Sequence, residues 1–224
     1  MKNRALVLLS GGIDSTTCLA IWKKNYGTDI VALNMFYGQK HKKEIEAARM
    51  IAEFYKIEYL ELDMSKVLEY SDCSLLSHSG KNIEHKPYAE QIKENGVVDT
   101  YVPFRNGLFL SAATAIAISK EAETVVYGAH ADDAAGNAYP DCSVAFIESM
   151  NTAIKEGSGR KVKLYAPLAT LTKAEVVKIG LELNAPYHLT WSCYEGGEKP
   201  CGKCATCIDR AKAFELNGRK DPAV

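Results

Sequence analysis

One stretch constrains this chain more than any other. Ala5-Leu6-Val7-Leu8-Leu9 is apolar throughout, Ser10-Gly11-Gly12-Ile13-Asp14-Ser15 follows, and Thr16-Thr17-Cys18-Leu19-Ala20-Ile21-Trp22 resumes an apolar pattern at helical spacing. That order reads as strand, tight loop, helix. Adjacent glycines let the backbone take positive φ and approach a ligand closely. The helix that follows aims its free N–H groups and positive dipole end into the loop, which is a ready site for an anion, usually phosphate. Ser10, Ser15 and Thr16 add hydroxyl donors. The Walker pattern requires a Lys after its second Gly, and none is present. The bland alternative is a plain Gly-Gly turn.

The rest of the chain alternates strands with helices. Arg4 to Leu9 is the first strand and Ser15 to Tyr26 the first helix, stopped by Gly27. Ile30 to Tyr37 and Ile57 to Leu62 are strands, separated by a helix over Lys42 to Tyr55 with Ile45, Ala48, Ile51, Ala52 and Tyr55 on one face. Residues 64–100, with Cys73, His78, His85, Gly80 and Gly96, are irregular; they read equally as a lid over a site or as a mobile surface loop. A helix over Leu108 to Ile118, a strand over Thr124 to Ala129, a helix over Cys142 to Ile154 and a short strand over Val162 to Tyr165 follow. Thr172 with Glu175 forms a capping box for a helix to about Leu183, and a last helix runs from about Ala205 to Leu216. Such alternation gives an α/β fold with a doubly wound parallel sheet, whose ligands sit beyond the carboxyl ends of the strands. Ser10–Ser15, Tyr37–His41, Arg105-Asn106 and His130–Asp133 all fall at those ends and should converge.

Size and charge exclude several classes. With 224 residues, 47% hydrophobic and 25% charged, the chain suits one globular α/β domain of residues 1–190 plus a small C-terminal segment of 191–224. A net charge of −1 opposes a surface coated for tRNA or DNA. No apolar run is long enough to span a bilayer, and the run after Met1-Lys2-Asn3-Arg4 is too short for a signal peptide. The expectation is a cytoplasmic protein that uses neither membrane nor nucleic acid.

Several residues carry chemistry. Gly11 and Gly12 offer N–H groups to a pyrophosphate, with Ser10, Ser15 and Thr16 beside them. Asp14 is acidic next to a polyanion, which predicts Mg²⁺ accompanying ATP. Arg105 can grip phosphate or carboxylate bidentately, or simply form an ion pair that caps a helix. Asp132 and Asp133 end a buried strand; on extended chain only one of them can face the pocket, to hold Mg²⁺ or a substrate amine. His130 reads as structural. Asp141 is a helix N-cap by type, or else a reader of a ring bearing amino and imino groups.

Of seven cysteines, Cys193, Cys201, Cys204 and Cys207 lie in one short span. Four thiolates so spaced can close a tetrahedral shell around one structural Zn²⁺, with Gly196, Gly197 and Gly202 relieving the turns; an iron–sulfur cluster is the competing occupant. Cys18, Cys73 and Cys142 read as non-ligands.

Ser10-Gly11-Gly12-Ile13-Asp14-Ser15 resembles the PP-loop of the ATP pyrophosphatase superfamily, which implies an adenine nucleotide alpha hydrolase-like fold. Together with Tyr37-Gly38-Gln39, Val102-Pro103-Phe104-Arg105-Asn106, Tyr139-Pro140-Asp141-Cys142, Ala166-Pro167-Leu168, Lys173-Ala174-Glu175 and the cysteine quartet, the chain closely resembles the 7-cyano-7-deazaguanine synthases of the queuosine pathway over nearly its whole length. One departure is that Gly136 is followed by Asn137 and Ala138, where the family pattern has Gly directly before Tyr139. The resemblance implies an ATP-dependent carbon–nitrogen ligase that converts 7-carboxy-7-deazaguanine and ammonia to the nitrile through an activated carboxylate and an amide. It implies ATP on Leu9, Ser10, Gly11, Gly12, Ile13, Asp14, Ser15, Thr16, Thr17, Cys18 and Leu19. The acid falls on Tyr37, Gln39, Arg105, Asn106, Tyr139 and Asp141, with catalysis at Asp14, Ser15, Arg105 and Asp133, and the protein is implied to be a homodimer. A tRNA-modifying PP-loop enzyme of the thiolation type is the alternative.

Overall fold

In the computed structural model, residues 3–95 and 98–223 are described; Gly96 and the Met1-Lys2 start lie outside them. Five parallel strands form one sheet: β1 (Ala5–Leu8), β2 (Ile30–Phe36), β3 (Glu58–Asp63), β4 (Thr124–Val126) and β5 (Lys163–Tyr165). Their spatial order is β3-β2-β1-β4-β5, so the winding reverses between β1 and β4. The register pairs Val7 with Ala32 on one side and with Val126 on the other.

The apolar runs of β1, β2 and β4 are buried on both faces because helices cover both. Helices α1 (Ile13–Tyr26) and α2 (Lys43–Tyr55) lie on one side. There Ala5, Val7 and Leu9 of the first strand and its extension meet Leu19, Trp22 and Ile51. Alternate residues, such as Leu6 and Leu33, point to the other side. After a short α3 (Ser65–Leu68) and α4 (Tyr88–Asn95), α5 (Arg105–Ser119) supplies Leu110, Ala113 and Ala117 to that second core. A four-residue α6 (Ala131–Ala134) follows β4, and α7 (Val144–Gly157) adds Ile147 and Ile154. Helices α8 (Lys173–Glu182) and α9 (Ala205–Leu216) return to the first side, where Val176, Val177, Ala213 and Phe214 join its core.

Element boundaries differ from the sequence reading in instructive places. Helix α5 begins at Arg105 rather than Leu108, because the backbone N–H of Asn106 finds an acceptor across the chain, Asp141 Oδ2 at 2.9 Å. Strand β4 ends at Val126 rather than Ala129, matching a partner, β5, of only three residues. Asp141 does not cap α7; Ser143 does, its hydroxyl accepting from Phe146 N–H at 3.2 Å. The capping box at Thr172 and Glu175 is present as predicted.

The described residues of segment 64–100 pack against the carboxyl end of β2. Leu68, Cys73, Leu75 and Leu76 bury themselves with Tyr37 and Val102. Lys40 N–H donates to Leu75 O at 2.9 Å and Ser77 N–H to Gly38 O at 2.8 Å. Asp99 ties the segment together, accepting from the Ser74 hydroxyl at 2.8 Å and from Glu84 N–H at 3.0 Å. Residues 191–223 are tied down through buried Arg210, which donates to Thr190 Oγ1 at 2.9 Å and Asp221 Oδ1 at 2.8 Å. No helix among the described residues is long and apolar enough to cross a membrane.

Candidate active site

The loop Leu9–Ser15 turns from β1 into α1 at the point where the winding reverses. Only Gly11 uses the left-handed freedom of its type, at φ +90°; Gly12 is extended at φ −85° and stands as the N-cap. A Cβ on Gly11 would meet Glu44 O at 2.3 Å, so the loop is seated on the first turn of α2. Its hydroxyls brace it internally. Ser10 Oγ and Ser15 Oγ are 3.1 Å apart, and the Thr16 hydroxyl donates to Gly12 O at 2.7 Å. Trp191 N–H donates to Gly11 O at 2.9 Å, so the C-terminal segment closes the loop from the far side.

The loop supplies no lysine, but the fold brings one. Lys173 opens α8 directly after its cap, and its ammonium lies 2.6 and 2.7 Å from the two carboxylate oxygens of Asp14. Asp132 Oδ2 accepts the Lys173 backbone N–H at 2.7 Å and fixes where that helix starts. His130 is buried; its Nε2 lies 3.4 Å from the same ammonium and 3.3 Å from Asp133 Oδ1. Burial alone would raise the Asp14 carboxyl, but the Lys173 ammonium and then His130 hold it below its usual range. Burial pushes Asp133 up against the pull of His130, and likewise raises Asp209. Asp132 and Asp133 are thus not on extended chain, as the sequence suggested, but on one helical turn, α6. Asp133 lines the cleft, and Asp132 is exposed and bonded to α8.

The cleft continues past the loop into an aromatic half lined by Tyr37, Tyr88, Phe109, Tyr139 and Tyr194. The Arg105 guanidinium lies over Tyr37 at 5.1 Å and Phe109 at 5.9 Å. Its Nε is buried without a hydrogen-bond partner. Gln39 is held by Tyr37 N–H, which donates to its Oε1 at 2.9 Å. Tyr139 shares a hydrogen bond with Thr100 at 2.6 Å, and burial pushes its phenol up to about 12. Tyr88, from the irregular segment, meets Tyr194, from the cysteine segment, hydroxyl to hydroxyl at 2.8 Å. Two parts of the chain remote from the sheet therefore close this half.

Of the residues singled out in the sequence, Leu9, Ser10, Gly12, Ile13, Asp14, Ser15, Tyr37, Gln39, Arg105, Asn106, Asp133 and Tyr139 line this one cleft. Gly11, Thr16, Thr17, Cys18 and Leu19 lie behind it. The Thr17 hydroxyl sits 2.7 Å from that of Tyr187, and Cys18 and Leu19 belong to the core. Asp141 is buried behind the wall, holding the first turn of α5 and so the base of Arg105. Glu44, His130, Lys173, Tyr88, Trp191, Tyr194 and Asp209 line the cleft without having been singled out as ligands. Lys173 was signalled by its place directly after the capping Thr172 and by the Lys173-Ala174-Glu175 motif, and His130 by its position after β4.

The four C-terminal cysteines converge, with sulfurs within 4.8 Å of one another. Backbone N–H groups point at them: Cys201 N–H to Cys193 Sγ at 3.3 Å and Cys204 N–H to Cys201 Sγ at 3.3 Å. Four clustered sulfurs with N–H support can bind a metal such as zinc. The cluster packs against Trp191, whose indole N–H donates to Cys193 O at 2.7 Å. Gly196, at φ +64°, lets this segment press against His41, where a Cβ would fall 2.2 Å from that of the histidine.

Comparison with known proteins adds the family. Residues 4–218 match the family described as queuosine biosynthesis protein QueC. The chain is 40% identical to a 7-cyano-7-deazaguanine synthase of Archaeoglobus fulgidus over 98% of its own length and 89% of that protein's. It is 43% identical to the enzyme of the same name from Caldicellulosiruptor saccharolyticus, over 98% and 94%. Its fold is similar to the NH3-dependent NAD synthetase of Campylobacter jejuni, with a TM-score of 0.53 at 18% identity, covering 97% of this chain and 76% of that one. The NMN synthetase of Francisella tularensis is similar in fold at a TM-score of 0.52 and 16% identity, over 98% and 79%.

Proposed function

The chain belongs to the QueC family of queuosine biosynthesis proteins, and we propose that it makes 7-cyano-7-deazaguanine from 7-carboxy-7-deazaguanine, ATP and ammonia. The observation that carries this reading is a single cleft. It joins a phosphate-type loop with an anchored lysine to an aromatic half holding an arginine without a hydrogen-bond partner.

In this reading the loop and the amino end of α1 hold the nucleotide phosphates, and Lys173 faces them across Asp14. The flat deazapurine stacks among Tyr37, Phe109 and Tyr139, with Gln39, Arg105 and Asn106 beside it. A carboxylate is a poor electrophile because its charge is delocalised. Attack of one carboxylate oxygen on the α-phosphorus breaks the bond to pyrophosphate and makes a mixed anhydride. Ammonia then attacks the acyl carbon, AMP leaves, and an amide forms. A second transfer of AMP to the amide oxygen makes that oxygen a leaving group. Its departure with loss of the N–H protons leaves the nitrile. The protein positions the partners, neutralises charge and keeps water out.

Mg²⁺ supplied with ATP would neutralise phosphate charge, and Asp133, whose ion-pair partner is His130, would be the carboxylate to hold it. The four cysteines would hold one structural zinc, fixing the described C-terminal residues 191–223 as a cap on the cleft. The reading extends to a cytoplasmic homodimer. Purified protein incubated with the deazaguanine acid, ATP and ammonium is expected to yield the amide and then the nitrile by mass spectrometry. Absence of any ATP-dependent nitrile would overturn the assignment.

A further inference from the structure

Glu44 stands in the first turn of α2 and lines the cleft. Its position is fixed from behind, since its carbonyl oxygen lies where a Cβ of Gly11 would be. Its carboxyl has no hydrogen bond and no ion pair among the described residues. Its electrostatic neighbours are Arg105 and Tyr37, which places it at the aromatic half. Burial pushes it up to about 7, against the pull of Arg105. Arg105 is equally without a hydrogen-bond partner among the described residues, with its Nε buried. Both groups line the cleft, and neither bonds a protein group among the described residues, so both are open to a ligand.

The ligand that completes such a pair must be flat, to lie among the tyrosines. It must offer donors to the carboxylate and an acceptor to the guanidinium at adjacent positions on one edge. A 2-aminopyrimidin-4-one ring, as in guanine and its 7-deaza relatives, carries that order: ring N1–H, exocyclic 2-NH2, and the neighbouring 6-oxo oxygen. Hypoxanthine-type rings lack the amine, and adenine-type rings reverse donor and acceptor at position 6.

We propose that Glu44 is the specificity residue of this cleft, accepting hydrogen bonds from N1–H and the 2-amino group while Arg105 donates to the 6-oxo oxygen. The inference rests on the function proposed above and deepens it. Lys173, Asp133 and the loop act on the phosphates, whereas Glu44 acts on the ring edge and decides which ring enters. A site built around hydrogen bonds to a substrate discriminates strongly, because the analogue leaves a buried group unpaired.

The test compares 7-carboxy-7-deazaguanine with its 2-deamino analogue, 7-carboxy-7-deazahypoxanthine, in wild type, Glu44→Gln and Glu44→Asp. Wild type should favour the 2-amino form by about 100-fold in kcat/KM. In Glu44→Gln that preference should collapse to below about fivefold, chiefly through KM for the 2-amino substrate, with the KM for ATP and for ammonium unchanged. Glu44→Asp should recover part of the preference. An equal loss on both acids, or a rise confined to the ammonium KM, would overturn the inference. Calorimetric binding of 7-deazaguanine and 7-deazahypoxanthine without ATP gives an independent reading. If wild type turns over neither acid, the proposed reaction fails, while the calorimetric preference and its loss in Glu44→Gln still decide the role of Glu44. Equal binding of both rings by wild type would overturn it.

Discussion

The ammonium of Lys173 lies 2.6 Å from Asp14 Oδ2, across 159 residues of sequence. One residue opens α8 and the other sits in the first turn of α1, so the pair forms where two helix amino ends meet beside the loop. The acid that looked mismatched beside a polyanion is matched by a cation of the protein's own. The same cation also lines the cleft.

Lys173→Met should lower kcat/KM by about 100- to 1000-fold, the scale for losing one preorganised charge at a site of developing negative charge. It should also leave Asp14, half-buried, without its cation. An acid raised by burial favours the folded state only while protonated, so this variant should lose stability as pH rises above about 4. Adding Asp14→Asn should restore the Tm at pH 8 but not the activity. Thermal melts at pH 5 and pH 8 with steady-state kinetics check both halves.

Asp141 should act through Arg105 rather than on the substrate. Asp141→Ala removes the acceptor for Asn106 N–H at the start of α5. It should cost about 1–2 kcal/mol of stability, as lost helix caps do, and raise the KM for the acid with little change in kcat. Asp141→Asn keeps an acceptor oxygen and should fall between. A Asp141→Ala variant with wild-type KM would place Arg105 under other control.

Glu44 should lower the stability of the unliganded protein at neutral pH. Its folded carboxyl stands near 7 against an ordinary 4.5. Stability is therefore unaffected below about 4.5 and is lost as pH climbs through 7. Glu44→Gln should match wild type at pH 4 and exceed it by about 3 kcal/mol at pH 8. Denaturant melts across that range measure the difference, and a pH-independent offset would count against an unpaired carboxyl.

Elemental analysis should find about one zinc per chain, and Cys204→Ser should reduce soluble protein. Stripping the metal should lower Tm by about 10 °C or more and shift Trp191 emission to the red, since that indole packs on the cluster and bonds Cys193 O. Iron in place of zinc would reassign the metal.

The sequence alone determined what is local. Apolar runs marked the strands, the Thr172–Glu175 box marked α8, cysteine spacing marked the cluster, and the last helix was read to its observed ends at Ala205 and Leu216. These signals act within one strand, one helical turn or one short loop, so composition and spacing carry them. It also placed half the cleft, because loops at the carboxyl ends of parallel strands must converge.

Tertiary structure decided the rest. Lys173 on Asp14, Asp141 beneath Asn106, Tyr88 against Tyr194, and Glu44 beside Arg105 all join segments brought together by crossovers, not by spacing along the chain. Asp141 shows why such pairs are hidden. By type it suits a helix cap, and it does hold a helix end, but the helix it serves starts 36 residues upstream, at Arg105. A side chain's chemistry is written in its residue type, whereas its partner is set by register and packing, which only the folded chain fixes.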